Sequence, residues 1–136
     1  MAKGAKTAAT HPGEEKLFIN KARRFLEGAR ELLKQNNHEG AAVLAVHSTI
    51  SSCDALTAKF LSCRHKGENH ATVVNLLKTL PLKDVTELDT KIKQITEILT
   101  KKTQAEYESK PIRKDGVETM VAQASRIYRW AKGLVR

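Results

Sequence analysis

Long apolar runs, cysteines and acidic residues are all scarce in this chain of 136 residues, and each scarcity excludes something. No stretch of eighteen apolar residues occurs, so no segment reads as a membrane-spanning helix. The start, MAKGAKTAATHPG, lacks the apolar central region of a secretory signal, and a soluble, cytoplasmic protein is the expectation. The two cysteines, Cys53 and Cys63, fall on what reads as one helix, about 15 Å apart along its axis. They cannot bond to each other within it and are expected to be reduced packing thiols. A Gly-rich phosphate loop, HExxH and GxSxG are also missing. That removes the best-marked nucleotide-hydrolysing, zinc-protease and serine-hydrolase chemistries.

What the chain has in excess is positive charge: 24 Lys and Arg against 15 Asp and Glu, a net charge of +9. Such an imbalance favours a polyanion partner, nucleic acid ahead of a membrane surface. With 40% apolar residues the length supports one domain with a real core and is short for two.

Residues 1–13 combine Lys3 and Lys6 with Gly, Ala, Thr and Pro and show no periodicity, so they read as a flexible basic tail before a single domain over 14–136. From Glu14, Phe18, Ala22, Phe25, Ala29 and Leu32 recur at helical spacing, predicting a first helix that ends near residues 35–37. A second runs from about Glu39 to Ser62, striped by Val43, Val46, Ile50, Cys53, Thr57 and Phe60, with small residues that let neighbouring helices approach closely. Asn69 is the expected N-cap of a third helix reaching Leu80 and stopped by Pro81. Asp84 with Glu87 approximates a capping box for a fourth helix that carries Val85, Leu88, Ile92, Ile95 and Leu99 and extends to about Tyr107. Val117, Val121, Ala124, Ile127, Ala131 and Leu134 define a fifth. No strand signal competes, and the predicted fold is all-α, an antiparallel four-to-five-helix up-down bundle. A bundle by itself indicates no function.

The candidate chemistry begins with RHKGENH, residues 64–70. If Asn69 caps a helix, His70 lies in its first turn beside unpaired backbone N–H groups. Arg64 can bring its guanidinium fork to the same anion, while His65 and Lys66 add donors. Two readings are open. In one, Arg64 and His70 are a catalytic pair: the histidine takes the proton of a ribose 2′-hydroxyl and the arginine stabilises charge on the phosphate oxygens. In the other they only bind phosphate or cap a helix. A metal set of Cys63, His65 and His70 matches no familiar zinc spacing and has no fourth ligand, so neither metal nor other cofactor is assigned.

His47 and Asp54 lie about 20° apart around the second helix, at the edge of its apolar stripe, and both should be partly buried. At about 10 Å along the axis they are too far apart for a direct hydrogen bond. They either satisfy neighbouring helices or join a pocket through a third group. Near the end of the chain, Arg126, Arg129 and Lys132 surround Trp130. This basic surface could stack a base and hold phosphates, or Trp130 could pack on the first helix or at a dimer seam.

The stretches AAVLAVHSTISSCDALTAKFL and RHKGENHATVVNLL resemble the second and third helices of HEPN domains. KTQAEY, residues 102–107, resembles that family's basic-x-x-Ala-acidic-Tyr segment, with Lys102 keeping the charge but not the bidentate fork of an arginine. The resemblance spans Glu14 to Val135. It implies a module that binds RNA or nucleotide phosphates, with Lys102 and Tyr107 as further phosphate-binding residues. It also implies a metal-independent endoribonuclease using Arg64 and His70, a homodimer, and a toxin–antitoxin setting with a nucleotidyltransferase partner. A non-catalytic dimeric interaction protein is the other reading.

Overall fold

A computed structural model describes residues 6–67 and 69–136, except for the side chain of His70. Its elements in chain order are β1 (Lys6–Ala9), α1 (Glu14–Lys34), α2 (His38–Leu61), β2 (Cys63–Lys66), α3 (His70–Leu77), α4 (Val85–Thr100), α5 (Lys102–Tyr107) and α6 (Lys114–Val135).

Helix α1 carries Glu14 and Glu15 in its first turn and Lys34 in its last, the polarity that suits the helix dipole. Asn36 then adopts the left-handed conformation that asparagine tolerates well, and the Asn37 side chain accepts the Gly40 N–H at 3.0 Å to start α2. So short a turn reverses the chain and fixes an antiparallel register. The Ser48 hydroxyl donates to the Ala22 carbonyl at 2.8 Å, and the His47 ring lies 5.5 Å from that of Phe25.

The centre of the bundle is α2, which buries Ala41, Ala42, Ala45, Ser48, Ser51, Ser52, Ala55 and Ala58. Small side chains allow α1, α4 and α6 to pack closely round it, and the core fills with Leu26, Leu56, Ile95, Ile98, Leu99, Met120 and Ile127. Two cross-links fix α6: Arg30 of α1 donates to the Ser125 hydroxyl at 2.9 Å, and Gln123 donates to Glu97 of α4 at 2.8 Å. The result is an all-α bundle of four long helices, with α3 and α5 as short additions. Among the described residues no helix is long and apolar enough to cross a membrane.

Four features depart from the sequence expectation. Cys63 does not share a helix with Cys53, because α2 ends at Leu61 and Cys63 begins β2. The third helix stops at Leu77, and Thr79 and Leu80 bond three residues back, the tightening that Pro81 forces on the residues before it. The expected fourth helix is two, because the Lys101 N–H bonds Ile98 three residues back and redirects the chain into α5. A strand exists where none was expected. Lys6–Ala9, within the segment read as a tail, pairs antiparallel with β2 in the register Lys6 to Lys66, Thr7 to His65, Ala8 to Arg64 and Ala9 to Cys63. Backbone pairing with little burial of β1 makes this ribbon, so hydropathy periodicity has nothing to detect.

Candidate functional site

The ribbon places RHK against the bundle. The Ser62 backbone adopts a left-handed conformation at φ 54°, ending α2, and Gly67 at φ 101° turns the chain out of β2. A residue with a Cβ is strained at Gly67, so the turn depends on glycine there. Asn69 caps α3 by accepting the Ala71 N–H at 3.0 Å, as its position predicts.

Between β2 and the helices lies a cavity of about 60 Å³. Its apolar walls are Ile50, Val73 and Leu99, and its polar groups are Asp54 of α2, His65 of β2 and Lys102 of α5. His65 Nε2 lies 2.7 Å from the Thr72 hydroxyl, which itself donates to the Asn69 carbonyl at 2.8 Å. Since the hydroxyl has one proton and a carbonyl only accepts, Thr72 must accept from Nε2–H. The imidazole is thereby oriented at the cavity with Nε2 as a donor.

Asp54 is the electrostatic centre of the site. Burial pushes its carboxyl up to about 7, against the opposing pull of the Arg64 and Lys21 charges and of the His65 backbone N–H. Neither cation makes a direct ion pair with it. The adjacent Cys53 thiol is driven far above its ordinary range by burial and then by the Asp54 charge, so it remains a neutral packing group. Burial, and behind it Asp54, raises Cys63 as well.

The predicted residues divide on this geometry. Asp54, His65 and Lys102 come together at the cavity, and Arg64 stands beside it, half-buried, its Nη1 donating to the His65 carbonyl at 3.4 Å. Lys66 is exposed on the ribbon directly opposite Lys6. Tyr107 is 72% exposed and outside the cavity wall, because five residues turn a helix by about 140° relative to Lys102. His70 is the first residue of α3, and its side chain lies outside the described part of the structure. His47 is half-buried against Phe25 at the α1–α2 seam and does not meet Asp54. Among the described residues no cluster of three His, Cys, Asp or Glu side chains is placed to hold a metal ion.

Sequence reasoning missed Lys21, whose charge reaches Asp54 across the helix pair. The register set by the short α1–α2 turn would have placed it near that part of α2. Arg126, Arg129 and Lys132 are exposed on α6; Lys132 Nζ sits 6.0 Å over the Tyr128 ring, and Trp130 of the same helix is half-buried.

The HEPN domain family matches residues 15–134, almost the whole bundle. The chain belongs to the HEPN family. A search of curated proteins gives no match. As a HEPN domain the chain is, at the level of its family, a nucleotide- and RNA-associated module, and the matched span contains all three polar groups of the cavity.

Proposed function

We propose that this HEPN domain binds a phosphate group of RNA or of a nucleotide at the mouth of the cavity, with Lys102 and His65 as contacts and Arg64 and Lys66 as flanking cations. The observation that carries the reading is the convergence of His65, Lys102 and Asp54 from three elements on one small cavity. At about 60 Å³ it is large enough to seat part of a phosphate and far too small for a nucleoside. Only two ion pairs form among the described residues, Arg23 with Glu27 and Arg113 with Asp115. Most of the basic side chains therefore stay available to a polyanion.

The test is a binding titration with single-stranded RNA at several salt concentrations. Affinity should fall steeply between about 50 and 200 mM salt, and each phosphate contact removed should flatten the log–log slope by ~0.7. Lys102→Ala and Arg64→Ala should each do so. Affinity that ignores salt sinks the proposal.

A second reading, metal-independent RNA cleavage with Arg64 and His70, is favoured by one observation: Asp54, a carboxyl raised to about 7, lines the same cavity as His65. General acid–base catalysis works best with groups so poised. Labelled RNA incubated in chelator with wild type, Arg64→Ala, His70→Ala and Asp54→Asn decides it. Cleavage by wild type alone supports the reading; cleavage surviving every substitution removes it. The homodimer, the nucleotidyltransferase partner and the toxin–antitoxin setting belong to the same proposal. Size exclusion with and without RNA tests the first of these, and co-purification the second.

A further inference from the structure

Strand β2 is held along both of its edges, and by different partners. The Thr10 N–H bonds the Ser62 carbonyl at 3.1 Å, and an antiparallel ladder bonds every second pair of residues. In the register of the ribbon the bonded pairs are then Ala8 with Arg64 and Lys6 with Lys66, whereas Ala9 with Cys63 and Thr7 with His65 are the closely spaced, unbonded ones. The His65 N–H therefore faces away from β1, and on that side it meets the Asp54 carboxyl. One edge of β2 rests on β1 and the other on Asp54 of α2, with His65 in the cavity wall.

The hold of β1 is slight. Lys6, Thr7 and Ala9 are exposed and only Ala8 is half-buried, so the strand adheres by its backbone, and a two-stranded ribbon is marginal on its own. At its tip Lys6 stands directly opposite Lys66, and like charges so placed repel. Its base is firmer: Glu14 accepts the His11 N–H at 2.6 Å, Glu15 accepts the Gly13 N–H at 3.0 Å, and Gly13 turns the chain into α1 at φ 94°. A strand fixed at its base and weak at its tip opens from the tip. We propose that β1 is a strap whose closing builds the cavity: paired, it holds β2 so that His65 stands in the wall against Asp54, and released, it frees that wall. A polyanion that neutralises Lys66 removes the repulsion at the tip, so an occupant of the cavity also closes the strap. This last step rests on the phosphate reading above; the strap itself does not.

Cys63 supplies the test. Its partner Ala9 sits in a closely spaced pair, whose Cα atoms lie ~4.5 Å apart, within the span that a disulfide bridges. Ala9→Cys therefore lets the strap be stapled shut by an added oxidant and released by a reductant, while the Cys53 thiol stays buried. Amide exchange is followed by NMR in the ligand-free chain at Arg64 and Lys66, which face β1, and at His65, which faces Asp54. Stapling should slow all three by about tenfold or more and leave α2 and α6 unchanged. Ala9→Cys combined with Cys63→Ser cannot be stapled and should exchange like wild type in both conditions. Lys6→Glu, which sets opposite charges at the tip, should slow the same three amides without a covalent link.

The His65 amide decides the matter, because it points away from β1 and slows only if the strap sets the wall. Slowing at Arg64 and Lys66 without His65 overturns the inference, as do exchange that stapling leaves unchanged and a disulfide that fails to form. A short single-stranded RNA separates the strap from the phosphate reading. It should slow the three amides in the unstapled chain and bind the stapled one several-fold more tightly, since only the closed fraction is competent. Equal binding by both forms overturns the inference. Binding by neither removes the phosphate reading and leaves the three amides to decide the strap.

Discussion

Replacing Asp54 by asparagine should change the pH dependence of stability in a calculable way. The carboxyl titrates at an ordinary 3.8 when unfolded and at about 7 in the bundle. Between these values the folded chain holds a proton that the unfolded chain has released. Stability therefore falls as pH rises from about 4 to 7, and the loss is complete above the folded value. A separation of about three units corresponds to ~4 kcal/mol, and residual solvent contact brings the expectation to about 3–4 kcal/mol. That is a large share of a total that is typically about 5–15 kcal/mol.

The asparagine side chain in Asp54→Asn carries no such penalty and can still accept the His65 N–H. Urea unfolding of both proteins at intervals from pH 4 to 8 isolates the effect, because every other titrating group is common to the pair. The variant should equal or trail the wild type at pH 4 and gain on it progressively, by about 3 kcal/mol at pH 8. Two stability curves that run parallel across this range would refute the assignment of a buried, proton-holding carboxyl.

Gly40→Ala should destabilise by about 1 kcal/mol although alanine is the better helix former, because its Cβ would stand 2.8 Å from the Asn37 cap oxygen and 2.9 Å from Leu32 Cδ1. Gly133→Ala, with open space around its Cβ, should stabilise by ~0.5–1 kcal/mol; thermal unfolding of the two variants checks the contrast. Removing residues 1–10 deletes β1 and the Thr10 N–H bond to the Ser62 carbonyl, so amide exchange should accelerate over residues 63–66 and stay slow in α2 and α6. Unchanged exchange at residues 63–66 would mean that the ribbon does not hold β2.

The helices and their caps were legible because burial and capping leave marks in sequence: Asn69 and Asp84 accept the N–H groups their positions foretell, and Leu88, Ile92, Ile95 and Leu99 are buried at their heptad spacing. Val85, the first of that series, is 60% exposed, since a helix can begin before it reaches the core. The ribbon was illegible for the opposite reason, as KTAA and CRHK pair by backbone and carry no alternating face. The site was half legible. His65, Lys102 and Asp54 each stood out by residue type, but which of them share a cavity depends on the break at Lys101 and on the α1–α2 register. Local pattern encodes neither. Tyr107 was grouped with Lys102 through the family resemblance of KTQAEY, and the turn of α5 leaves Tyr107 off the cavity wall that Lys102 lines.

The position of Asp54 also links phosphate binding to pH. After Glu39 it is the only acidic residue of α2, held among Lys21 of α1, Arg64 and His65 of β2, Lys102 of α5 and the neutral Cys53 thiol. A phosphate arriving at this cavity meets a protonated carboxyl below pH 7 and a carboxylate above it. Ionised, Asp54 repels the ligand and competes for the cations that would hold it, so binding must draw a proton back onto the carboxyl. The affinity for an RNA phosphodiester, which does not titrate in this range, should fall by up to about tenfold per pH unit above about 7. Asp54→Asn should remove this component, and the difference between the two profiles isolates it because every other group is common to both proteins. Equal pH profiles for wild type and variant, at constant ionic strength, would place the phosphate away from Asp54 and out of the cavity.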